Sequence, residues 1–221
     1  MAKKRSRPKT EAELKEREAA GLWQAQALTK QIAESSQKIT IDIILRIHTI
    51  FFQKVRPEIA GRFRKNGEDI KKLKCMTPPP GRLVMEQFYV FWREFDTKMA
   101  QVPPFPKRLG KHALRKALEA RNEYIIDLAA WTQYQITRIH PFCDGNGRMA
   151  RLMTNLILYR FGFQPTDIRY EGENKAHYLD ALCAIDYEDD YRALKHLIYK
   201  GSLASYQKLI ERQRSVRHNS R

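Results

Sequence analysis

Residues 138–152 read RIHPFCDGNGRMARL, which places an imidazole, a carboxylate, a carboxamide, two glycines and two inner arginines within fifteen positions. Such a mixture suits phosphate chemistry. Gly145 and Gly147 permit left-handed or otherwise strained backbone, so that successive N–H groups can converge on one point. A helix opening just after them adds its unpaired N–H groups and the positive end of its dipole. Arg148 and Arg151 lie three apart on one helical face, where both guanidiniums reach one polyphosphate. The side chain of Asn146 supplies a further donor. Asp144 would repel bare phosphate, so its presence implies a divalent cation bridging it to the ligand. His140, neutral near pH 7, can take a proton from an attacking hydroxyl. A base beside a metal-bound polyphosphate describes phosphoryl or nucleotidyl transfer.

Helices must position these groups. "TEAELKEREAAGLWQAQALTKQIAESS" has apolar residues at helical spacing, and Thr10 with Glu13 predicts a capping box. "TIDIILRIHTIFFQKV" follows as a more buried helix, and "RLVMEQFYVFWREFDTKMA" as a third. "KHALRKALEARNEYIIDLAAWTQYQITRI" reads as one long helix or two in succession. "RMARLMTNLILYRFGF" is stopped by Gly162, and the chain after it supplies two or three more helices. Between the second and third helices, Asn66-Gly67 signals a hairpin and Pro78, Pro79 and Pro80 must end any element. The expected fold is all-α, a helical bundle with a small β-hairpin.

Composition narrows the classes. A chain of 221 residues can bury one sizeable core, and no apolar run approaches the roughly 18 residues of a membrane span. The opening residues lack the apolar stretch of a secretory signal, so a cytoplasmic location and no membrane partner are expected. The net charge of +16 gathers in "KKRSRPK", "PKRLGKHALRK" and "ERQRSVRHNSR". These read as solvated ends and a helix approach, without the interleaved aromatics of a base-stacking platform. A nucleic-acid-binding module whose anion site holds a backbone phosphate is the alternative of a different class. Cys75, Cys143 and Cys183, odd in number and widely spaced, read as reduced thiols.

"HPFCDGNGRMAR" resembles the signature of the Fic family, His-Pro-Phe-x-(Asp/Glu)-Gly-Asn-Gly-Arg-x-x-Arg, at every specified position. "RPEIAGRFR" is similar to the run that leads into that family's flap, and "MTPPP" to the flap's far side. The resemblance implies a Fic domain over residues 39–202, flanked by a basic tail and helix over 1–38 and a basic helix end and tail over 203–221. It implies a protein adenylyltransferase using Mg²⁺ and ATP on a Ser, Thr or Tyr hydroxyl. His140 would be the base and Asp144 the Mg²⁺ ligand. Gly145, Asn146, Gly147 and Arg148 would line the anion hole, Arg151 would hold the distal phosphate, and Tyr178 would approach the adenine. A target protein would dock by strand addition on the flap near 65–77, and a homo-oligomer is compatible with this picture. Another nucleotide, or removal of AMP, is the alternative within the family. Glycine at 147, where the phosphate-transferring branch has lysine, favours AMP transfer. The family's inhibitory helix has only an off-register counterpart in "TKQIAES", so Glu34 reads as a solvated residue.

Overall fold

The Thr10 hydroxyl accepts the Glu13 N–H at 3.1 Å and opens the first helix, satisfying one of the four donors that every helix start leaves unpaired. A computed structural model describes residues 10–71, 73–166 and 172–219. Seven α-helices make up the described bundle. They are α1 (Glu11–Glu34), α2 (Ile41–Phe52), α3 (Val84–Ala100), α4 (Lys111–Ile139), α5 (Asn146–Arg160), α6 (Gly172–Glu188) and α7 (Arg192–Asn219). The all-α expectation holds, and the long stretch that read as one helix or two is one.

Helices α4 and α5 pack along each other at the centre, with α1 lying across both α2 and α5. Gly21 lets α1 approach α2 closely, since a Cβ there would stand 2.5 Å from the Phe51 carbonyl oxygen. A buried polar chain ties the centre to α6. The Thr154 hydroxyl donates to Gln133 Oε1 at 2.7 Å, and Gln133 Nε2 donates to the Tyr178 hydroxyl at 3.1 Å. Helix α5 ends as expected: Gly162 takes φ 87°, and Phe163 N–H reaches back to Leu158 O at 2.8 Å. Just before that stop, Arg160 binds the carbonyls of Ile32, Ala33 and Gln37 and so caps α1.

The segment between α2 and α3 departs from a regular hairpin. Asn66-Gly67 does turn, with Gly67 at φ 81° and Glu68 N–H bonded to Lys65 O at 2.9 Å. Among the described residues, however, pairing is reduced to one antiparallel bridge, Leu73–Met76, with Lys74 and Cys75 at the tip. Side chains take the place of a ladder. Glu68 binds the Arg62 guanidinium through both oxygens, and Glu68 Oε2 also accepts Lys65 N–H at 2.9 Å. Prolines 78–80 have no N–H to extend the pairing.

A second departure concerns the cysteines. Cys75 and Cys183 form a disulfide across 108 residues, which overturns the reading of both as thiols. Their separation in sequence carried no pairing signal; only the fold brings them together. Cys143 remains a free thiol.

His48, fully buried on α2, joins three parts of the molecule. Gly61 N–H donates to its Nδ1 at 2.9 Å, which leaves the ring proton on Nε2 to bond Asp144 O at 3.1 Å. Its ring stacks on Phe142, with centroids 3.9 Å apart. Burial holds its pKa down from 6.5 to about 4, with the Arg148 charge adding to the effect and the bond to Asp144 O opposing it. Between these values the unfolded chain binds a proton that the native chain does not. The contribution of His48 to stability is therefore complete above pH 6.5 and is lost as pH falls towards 4, by up to roughly 3 kcal/mol. Urea unfolding at pH 7.5 and 4.5 should show a larger acid loss in wild type than in His48→Gln, by about 2 kcal/mol. An equal acid loss in the two proteins would contradict the assignment.

Candidate active site

Helix α4 stops because His140 turns left-handed, at φ 52° and ψ 58°. For a residue with a Cβ this conformation costs about 1–2 kcal/mol, so something must hold it. That something is Arg64, 2% exposed, on the strand-like run that enters the flap. Its Nε donates to His140 O at 2.7 Å, while Nη2 donates to Ile139 O at 3.2 Å and Pro79 O at 2.6 Å. Its backbone N–H adds a bond to Pro141 O at 2.9 Å. One buried cation thus sits on the negative end of α4 and joins both limbs of the flap to the His140 turn.

The turn aims the imidazole into a cavity of about 430 Å³, a size suited to a small ligand. His140 Nδ1 lies 3.1 Å from Thr137 O. A carbonyl only accepts, so Nδ1 carries the proton and Nε2 keeps its lone pair. Burial lowers the His140 pKa and the Arg64 charge lowers it further, against the bond to Thr137 O and the Asp144 charge. The ring is a neutral base at pH 7.

Asp144 to Arg148, together with Arg151, line the same cavity as His140. Gly145, at φ 80°, makes the bend that starts α5, and a Cβ on it would stand 2.5 Å from the Phe52 ring. The first helical hydrogen bond is Met149 N–H to Gly145 O, at 2.9 Å. The N–H groups of Asn146, Gly147 and Arg148 therefore lie in the unpaired first turn, where an anion is best held. Among the described residues, Asp144 is the one carboxylate that lines the cavity. It accepts Gly145 N–H at 2.5 Å, Arg56 Nη1 at 3.1 Å and Arg148 Nη2 at 3.3 Å. Arg148 lies over the Phe51 ring, 4.3 Å from its centroid. Leu73 and Met76 of the flap and Tyr178, Leu179 and Leu182 of α6 form the apolar wall opposite.

All eight residues singled out in the sequence thus line one cavity, but two act differently from the expectation. The Asn146 side chain is committed to the loop. Its Oδ1 accepts Phe142 N–H at 2.8 Å and its Nδ2 donates to Phe142 O at 2.7 Å, so its backbone N–H is what it offers an anion. Gly147 shows no positive φ. A Cβ there would meet only Arg151 Nη1, at 3.6 Å; its bareness keeps space in front of the arginines and serves no backbone strain. Glu34 pairs with Lys30 at 3.7 Å and acts electrostatically on Tyr159. Tyr159 is eight residues beyond Arg151 on α5, about 12 Å along the axis. That places Glu34 at the far end of the helix from Arg148 and Arg151.

Mg²⁺, which the resemblance implies, fits this donor set. Among the described residues no group of three or more His, Cys, Asp or Glu side chains gathers as a metal cage. A hard cation held by one carboxylate and by phosphate oxygens needs none, and Asp144 would be that carboxylate. The residues missed in the sequence are supports: His48, Arg56, Arg64 and Gln133. A histidine inside the apolar helix "IDIILRIHTIFF" and an arginine after "AGRF" were the available signals.

The Fic/DOC family model matches residues 38–158. Protein adenylyltransferase Fic of Nematostella vectensis is 33% identical over 167 residues, covering 73% of this chain and 33% of that protein. Protein adenylyltransferase fic-1 of Caenorhabditis elegans is 30% identical over 181 residues, covering 81% and 30%. The chain spans about a third of the length of these curated relatives. Among solved structures, Fic-1 of C. elegans superposes with a TM-score of 0.66 at 27% identity, covering 94% of this chain and 54% of that one. The Bartonella tribocorum effector BepC shares the fold, with a TM-score of 0.57 at 16% identity over 89% of this chain and 92% of that one.

The two glycines should separate on substitution. Gly145→Ala combines left-handed strain with a clash against Phe52 and should cost about 2 kcal/mol or more in urea unfolding. Gly147→Ala should be neutral or stabilising by up to about 1 kcal/mol. Similar losses at the two positions would contradict the different roles assigned to them.

Proposed function

The chain belongs to the Fic/DOC family, and from that premise we propose that it is a protein adenylyltransferase, moving AMP from Mg-ATP to a Ser, Thr or Tyr hydroxyl of a target protein. One observation carries the reading. A histidine with a bare Nε2 and a lowered pKa shares a cavity with a helix start and two arginines on one side and an apolar wall on the other.

In this reading the adenine packs against Tyr178, Leu179 and Leu182. The first turn of α5 and the guanidiniums of Arg148 and Arg151 bind the polyphosphate, and binding draws Arg148 from Asp144 to phosphate oxygen. When bound at Asp144, Mg²⁺ neutralises phosphate charge and fixes the polyphosphate in one conformation. His140 Nε2 takes the proton of the target hydroxyl as its oxygen attacks the α-phosphorus. The bond from that phosphorus to the oxygen bridging to the β-phosphorus breaks, and pyrophosphate leaves with the charge that the arginines and N–H groups balance. The bare position at Gly147 supports AMP transfer, because a longer side chain there would enter the space in front of Arg151. The flap tip, whose Leu73 and Met76 border the cavity, is where the target's backbone would align.

Labelling distinguishes this reaction from its neighbours. With Mg²⁺ and a cell lysate, ATP labelled at the α-phosphate should mark protein covalently, while ATP labelled at the γ-phosphate should not. His140→Ala should retain ATP binding but lose about 10²–10⁴ in labelling rate. Label arriving from the γ-phosphate, or near-normal labelling by the variant, would refute the assignment.

A further inference from the structure

The flap and α6 meet above the cavity at an unusual joint. Cys75 lies between Leu73 and Met76, which both line the cavity. Cys183 follows Leu182 directly and stands one helical turn beyond Leu179, and both leucines line the same cavity. The disulfide between them, with Cα atoms 5.6 Å apart, therefore joins the two elements that together make the pocket's apolar wall. A second link, the ion pair of Lys74 with Asp180, runs beside it. Its side chains are 46% and 61% exposed, and an ion pair so solvated holds little on its own. The limbs of the flap, in contrast, are anchored at their roots by Arg64 and Glu68, independently of the tip. The tip can thus move while the roots and His140 stay in place.

We infer that the Cys75–Cys183 disulfide is a redox-operated clasp on the nucleotide cavity, holding the flap tip against α6 when oxidised and releasing it when reduced. The inference rests on the reading that this cavity takes a nucleotide. A dithiol reductant supplies two electrons and two protons: the S–S bond breaks, two thiols form, and the reductant closes to its own disulfide. Both cysteines are buried, at 8% and 9% exposure, so a small dithiol reaches the bond through local opening of the flap tip and without unfolding of the bundle. The closed clasp pre-forms the wall on which the base packs, whereas the released tip must be ordered again each time a nucleotide binds. Oxidation therefore favours a tightly held nucleotide and reduction favours exchange. Cys143, in the same cavity, takes no part in the bond.

The test uses the full chain, with the state of the bond verified by peptide mapping. Hydrogen exchange of flap peptides spanning 68–79 and calorimetric binding of a non-hydrolysable ATP analogue with Mg²⁺ are compared before and after dithiol treatment. Reduction should raise flap exchange and weaken binding by about tenfold. The double variant Cys75→Ser/Cys183→Ser should match the reduced protein and ignore reductant. Unchanged exchange and affinity after verified reduction would overturn the clasp, as would the absence of a Cys75–Cys183 link in air-oxidised protein. Flap exchange that responds to reductant while neither state binds the analogue supports the clasp and overturns the nucleotide reading instead.

Discussion

A buried guanidinium resting on the end of a helix holds the His140 turn together. Helix α4 would carry its last carbonyls into a region shielded from water, where each unpaired group costs about 1–3 kcal/mol. Arg64 binds two of them, at Ile139 and His140, and reaches Pro79 with the same guanidinium. A lysine could not take its place, because one ammonium lacks the planar fork that spans these acceptors. The cost of the left-handed turn at His140 is met by these bonds, and the turn in turn determines which way the imidazole points. The same charge helps to keep that imidazole neutral. Position and protonation of the base thus share one cause.

The opposite side of the cavity follows a complementary logic. Asp144 lies between Arg56 and Arg148 with its backbone carbonyl held by His48. The carboxylate is fixed while its partners are exchangeable. Arg148 rests on the face of Phe51, which supports the guanidinium without occupying its donors. In the proposed reading a polyphosphate with its cation would take over the contacts between Asp144 and the arginines without rebuilding the loop, since the Asn146 side chain closes that loop onto Phe142 without using them. His48 and Arg64 both join the flap's entry to this turn, so the run "AGRFR" is tied to the 140–146 loop more firmly than to its own tip.

Helices with local signals were legible in the sequence. Thr10 and Gly162 act where the chain announces a cap and a stop, and apolar spacing alone traces α2, α3 and α5. The site residues were legible as a set because one short segment carries seven of the eight, and Tyr178 entered only through resemblance to a family. Long-range facts were not legible. The pairing of Cys75 with Cys183, the tethering of Asp144 by His48 and the bonds of Arg64 to α4 all join residues far apart in the chain, and no local pattern encodes such partners. The hairpin was over-read for a related reason: Asn66-Gly67 specifies a turn, but a ladder needs donors that the prolines lack and that Glu68 diverts. Gly147 was misjudged because a glycine can mark vacant space as well as a strained backbone, and type alone does not say which.

The ¹⁵N chemical shifts of the His140 ring, followed through a pH titration of the full chain by NMR, bear most directly on the claim that the turn presents a neutral base with a bare Nε2. The expected result is a neutral ring near pH 7 with its proton on Nδ1, and protonation only below the ordinary histidine range. A ring protonated at both nitrogens near pH 7, or a neutral ring with its proton on Nε2, would contradict it.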